Sequence, residues 1–119
     1  MKTNASTKPL QLARSYMEIF YSGTDLLRLM ELMNEDCHFK GPLFEFYSVK
    51  AYVDSLLADP PLDMHYKELT AYENENSACL IYQFSKPGIE AVMCQRFTVV
   101  NAKISDILLI FDTGNFSTR

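Results

Sequence analysis

The sequence predicts an α+β domain: helices at the N-terminal end packed on a curved antiparallel sheet that lines an apolar pocket. Three observations carry this. Apolar residues recur at helical spacing in the first half of the chain and at a period of two after Asp59-Pro60-Pro61, the change that marks a passage from helices to strands. Helices precede strands instead of alternating with them, which is α+β rather than α/β order. The 119 residues, 48% hydrophobic and 22% charged, suit one ordinary core and are too few for two.

Pro9 stands where a helix begins, because a missing N–H costs nothing in the first turn. Leu10, Ala13, Tyr16, Met17 and Phe20 follow at helical spacing, and Ser22-Gly23 supplies a stop, since glycine accepts left-handed backbone. Thr24 or Asp25 caps a second, short helix through Leu29, Met30 and Met33, which Asn34-Glu35-Asp36 breaks. Cys37 to Lys40 reads as a short strand ended by Gly41-Pro42. Ser48 caps a third helix with Val49, Tyr52, Val53, Leu56 and Leu57 on its buried side, and the two prolines end it. Strands are expected over Met64 to Glu73, Ala78 to Ser85, Ile89 to Val100 and Ile104 to Asp112. Asn74-Glu75-Asn76, Lys86-Pro87-Gly88 and Asn101-Ala102-Lys103 carry turn chemistry between them.

Alternation assigns the faces of the sheet. Leu80, Tyr82 and Phe84 share parity, as do Met93, Gln95, Phe97 and Val99, and Ile107, Leu109 and Phe111. A three-residue loop at Asn101-Ala102-Lys103 sets Phe97 opposite Ile107 and Gln95 opposite Leu109, joining these sets on one face; a two-residue loop would swap one strand. The other face carries Ile81, Val92, Cys94, Leu108 and Ile110, diluted by Arg96 and Thr98. It is more apolar than solvent contact requires. A second copy of the chain is the expected cover, giving a homodimer through this outer face; the chain's own termini are the alternative.

The net charge of −4 and the scattered Lys and Arg disfavour a nucleic-acid partner. No basic amphipathic helix or apolar run of spanning length points to a membrane, and the polar stretch from Met1 to Pro9 lacks a signal-peptide core. Cys37, Cys79 and Cys94 are an odd count without a CxxC pair, which reads as reduced thiols in a cytoplasmic protein. Together with His38 and His65 they show no paired metal-ligand spacing, so no metal is expected. The four glycines form no phosphate-cradling loop, and no cofactor is expected.

Two short helices, a strand ending in Gly-Pro, a third helix, then four long strands closing on FTVVNAKISDILLIFD: this layout resembles a nuclear transport factor 2-like domain. The resemblance covers roughly Pro9 to Asp112, places the domain at residues 9–113, and leaves 1–8 and 114–119 as short termini. It implies a cone-shaped sheet on three helices, the fold shared by ketosteroid isomerases, polyketide cyclases, limonene epoxide hydrolases and scytalone dehydratase. It does not by itself imply a reaction. Ketosteroid isomerases use a carboxylate base with a tyrosine and a protonated aspartate that bind the enolate oxygen. Tyr16 matches that tyrosine, but Gly41 stands at the base and Gln95 at the aspartate. The acid–arginine–acid set of the epoxide hydrolases is missing around Arg96, and His38 and His65 do not form the paired pocket histidines of the dehydratase.

The expected pocket residues are Tyr16, Phe20, Tyr52, Tyr82, Gln95, Phe97 and Phe111. Each also has a purely structural reading: Tyr16 as a core aromatic, Gln95 as a buried amide bonded to Tyr16 or Tyr82. His38 and Asp112 are the candidate acid/base groups; a surface or dimer-edge histidine and a turn cap or rim ion pair are the plainer accounts. Cys79 and Cys94 fall at outward apolar positions, where thiols are inert. The leading functional reading is a domain that binds a small, largely apolar ligand in the pocket. An isomerase, cyclase or dehydratase acting on a polyketide- or steroid-like substrate, and a non-catalytic protein-interaction domain, are the alternatives.

Overall fold

The computed structural model describes residues 8–116; the reading of Met1 to Thr7 and of Ser117 to Arg119 as termini lies outside them. Helix α1, Pro9–Ser22, has Pro9 in its first turn, and Gly23 ends it at φ 71°, with its N–H on the Phe20 carbonyl. The Glu73 carboxylate accepts the Leu10 N–H at 3.0 Å and so ties the start of α1 to the sheet. The second helix is shorter than the spacing predicts. A 3-10 turn at Leu26–Arg28 leads into a single turn, α2 at Leu29–Leu32, and Met33 already begins strand β1, Met33–Lys40. Asn34-Glu35-Asp36 therefore lies in a strand. Asn34 donates to the Val100 carbonyl at 3.1 Å, and burial of Met33 and Cys37 against the core overrides the polar run between them. Asp25 precedes the turn with no side-chain cap.

After Gly41-Pro42 the chain doubles back into a two-residue strand β2, Glu45–Phe46, which the sequence reading did not contain. Helix α3, Val49–Ala58, starts on Ser48, whose hydroxyl accepts the Ala51 N–H at 3.1 Å, and it buries Val49, Tyr52 and Val53. Leu57, expected inside, is exposed. Strands β3 (His65–Glu73), β4 (Ser77–Lys86), β5 (Ile89–Val100) and β6 (Lys103–Ile110) form the meander.

The six strands run in the order β2-β1-β6-β5-β4-β3. All pairings are antiparallel except β1 with β6. This is the α+β arrangement of three helices on a curved, open sheet, the cone the resemblance implied. Register at the last hairpin is correct for a reason other than the expected one. The turn has two residues, Asn101 and Ala102, at φ 54° and 69°, and pairs Val100 with Lys103. A two-residue turn alone would reverse the faces, but β6 carries an extra residue, Ser105, between the Val99–Ile104 and Thr98–Asp106 pairs. This bulge restores Phe97 opposite Ile107 and Gln95 opposite Leu109. No helix among the described residues is long and apolar enough to cross a membrane.

Candidate functional site

The inner face of the sheet and the helices enclose a cavity of about 480 Å³. Tyr16 and Phe20 reach it from α1, Tyr52 from α3, Tyr82 from β4, Gln95 from β5, and Phe111 from just beyond β6. Phe97 does not line it. Its ring is fully buried, in edge contact with Tyr16 at 5.2 Å, so it backs the wall instead of forming it. Strand parity cannot separate these two depths.

Gln95 is the one buried amide side chain among the described residues, at 3% exposure. Its Oε1 accepts the Tyr82 hydroxyl proton at 2.7 Å. Its contact with the Tyr16 phenol acts against the burial that raises that phenol's pKa. Tyr21 stands beside Tyr82, ring centres 6.4 Å apart. Two bonded pairs thus sit at one wall of the cavity, Tyr82 with Gln95 and Tyr16 with Tyr52. The Tyr16–Tyr52 pair holds two hydroxyl hydrogens and uses one between its own oxygens, so one phenolic O–H is left to serve another acceptor.

All four phenols are neutral. Burial first, and neighbouring phenols after it, push Tyr16 well above the ordinary tyrosine range, and burial likewise raises Tyr21, Tyr52 and Tyr82. These phenols serve the site as hydrogen-bond donors. The rest of the wall is largely apolar and rich in phenylalanine: Phe39 stacks on Tyr52 at 4.8 Å, and Leu43 and Phe44 come from the loop before β2. Alternation missed Tyr21 because it stands one residue off the α1 stripe, and it missed Leu43, Phe44 and Phe46 because a two-residue strand has no period to read. Asp59 and Lys86 were also missed as lining residues; sequence gave no signal that a helix end and a hairpin end meet at one mouth.

The two candidate acid/base groups lie elsewhere. His38 is on the outer side of β1, with Nε2 2.6 Å from Glu45 and Nδ1 3.4 Å from Asp106, and its ring stacks on Tyr47. Its hydrogen bond to Glu45 is the main cause of that carboxyl's lowered pKa, with Tyr47 second. Asp112 is exposed and accepts the Gly114 N–H at 2.9 Å, a turn cap. Arg96 is also outside, bonded to Asp106 at 2.9 Å. Cys79 and Cys94 stand half-buried on that face with sulfurs 3.2 Å apart, and burial followed by the neighbouring thiol raises Cys79 to about 11. His65 opens β3 in solvent. No group of His, Cys, Asp and Glu among the described residues is placed to hold a metal. Gly41 has ordinary room for a side chain: a Cβ there would meet Phe39 at 3.5 Å and Leu109 at 3.7 Å, and both of those line the cavity.

No protein-family model and no curated protein matches the chain. Solved structures do. An NTF2-like protein of unknown function from Cytophaga hutchinsonii superposes with a TM-score of 0.79 at 19% identity, over 95% of this chain and 96% of that one. A candidate ketosteroid isomerase from Kribbella flavida gives 0.76 at 16% identity, over 97% and 90%. An LEH-like epoxide hydrolase from M. tuberculosis gives 0.77 at 9% identity, over 93% and 86%. At these TM-scores over most of each chain, the chain has the nuclear transport factor 2-like fold.

Proposed function

We propose that the protein binds a small, largely apolar ligand in the cone, with a ligand oxygen accepting the spare O–H of the Tyr16–Tyr52 pair. The observation that carries this is a group of uncharged phenols and an amide, bonded Tyr82 to Gln95 and Tyr16 with Tyr52, at one wall of an aromatic cavity of about 480 Å³. That volume lies in the range of small-molecule sites, and a few convergent polar groups in an apolar lining are their usual make-up. The acid/base reading has less support, because His38 and Asp112 stand outside the cavity and Asp59, the carboxylate in the described lining, is solvent-exposed. Calorimetry with 2-acetonaphthone and 2-ethylnaphthalene tests the binding reading. The ketone is expected to bind about tenfold tighter, worth about 1.4 kcal/mol, and Tyr16→Phe/Tyr52→Phe should erase the difference. Absence of binding by either compound overturns it.

The outer face supports a second proposal, a homodimer. Val92 and Ile110 are each 55% exposed and continue into half-buried Ile81, Cys94 and Leu108. Sedimentation should give a dimer at micromolar concentration, and Ile110→Glu a folded monomer. A cytoplasmic setting is proposed with it, supported by three cysteines that form no disulfide among the described residues.

A further inference from the structure

Two charged side chains occur in the described lining of the cavity, Asp59 and Lys86, and their surroundings differ. Asp59 is exposed, and its charge is hydrated. Lys86 is the last residue of β4, half-buried, and makes no ion pair among the described residues. Its ammonium lies 5.9 Å from the centre of the Phe116 ring, a contact that only partly replaces lost water. A partly desolvated cation at a cavity wall without a counter-charge is a group that an incoming anion stabilises.

Resting on the ligand-binding reading above, we infer that the ligand is a monocarboxylate. Its apolar body lies along the aromatic wall, and its carboxylate meets Lys86. A single lysine suits one negative charge. Among the described residues the lining holds no arginine fork and no glycine-rich loop of the kind that cradles a phosphate dianion. The site thus discriminates by charge at Lys86 and by a neutral acceptor at Tyr16 and Tyr52, two separate demands on one molecule.

Three probes with one body test the charge demand: 2-naphthylacetate, 2-(2-naphthyl)ethanol and 2-(2-naphthyl)ethylamine, titrated calorimetrically into the wild-type protein, Lys86→Gln and Lys86→Arg. The expected order is carboxylate about tenfold tighter than alcohol, with the amine weakest. Lys86→Gln should lower the carboxylate to the level of the alcohol and leave the alcohol unchanged, Lys86→Arg should keep the preference, and added salt should shrink it. Equal binding of carboxylate and alcohol, an unaltered preference in Lys86→Gln, or a preference for the amine overturns this inference and leaves the binding reading standing. Binding of none of the three overturns both.

Discussion

On the inner face of the sheet, Phe97, Ile104 and Ile107 are fully buried and the polar demands of Gln95 are met by phenols. On the outer face the same strands carry charge against charge: Arg96 with Asp106, and His38 with both Asp106 and Glu45, beside Val92 and Ile110 left in the open. The difference follows from the solvent each face has. An unpaired charge in the fully buried part would cost several kcal/mol in desolvation, so the core of the inner face uses uncharged phenols and an amide. Outside, water forgives an imperfect match, and exposed ion pairs contribute little each.

Four experiments can break this contrast or sharpen it. The largest effect is expected from alkali. Burial raises the pKa of Tyr16, Tyr21, Tyr52 and Tyr82 in the folded state, so the protonated form is favoured there. The stability this gives is complete below the unfolded tyrosine value of about 10 and is lost as pH climbs through the higher folded values. Unfolding free energy should therefore fall above about pH 10, and phenolate absorbance from these residues should appear together with loss of near-ultraviolet circular dichroism. Phenolate signal from all of them in a still-folded protein would show that the inner face tolerates charge.

Phe97→Ala comes next, at about 3–5 kcal/mol by urea denaturation, the cost of emptying a fully buried aromatic position. Gln95→Leu should cost about 1–3 kcal/mol, since Tyr82 loses its acceptor. Adding Tyr82→Phe should recover part of the loss by removing the stranded hydroxyl; a Gln95→Leu protein as stable as wild type would mean that this hydrogen bond contributes nothing to the fold. Ile110→Ala on the outer face should change the stability of the monomer by no more than about 0.5 kcal/mol. A cost comparable to that of Phe97→Ala would erase the distinction between the faces.

Much of this was legible in the sequence wherever a period could run its length. Tyr82 and Phe84 on β4, and Gln95 and Phe97 on β5, declare their face because each strand has ten or more residues. The helix cap at Ser48 and the stop at Gly23 were legible for local reasons, a hydroxyl and a left-handed backbone. Long-range choices were not. Met33 follows Leu29 by four residues and so reads as helix, yet it pairs with Ile104 across the sheet. The Ser105 bulge compensates a turn one residue shorter than expected, and nothing local to Ser105 announces it. At the site, residue type placed the aromatics, whereas the depth of Phe97 and the presence of Lys86 at the mouth depend on how separate elements meet.

Gly41 has a consequence for design. A Cβ there makes only ordinary contacts with two cavity-lining side chains, Phe39 and Leu109. Position 41 therefore has room for a side chain beside the aromatic wall, and Gly41→Asp would set a carboxylate next to a cavity whose phenols are neutral donors. In that sense the pocket is a chassis: Tyr16 and Tyr52 supply a donor, and an acid is one codon away.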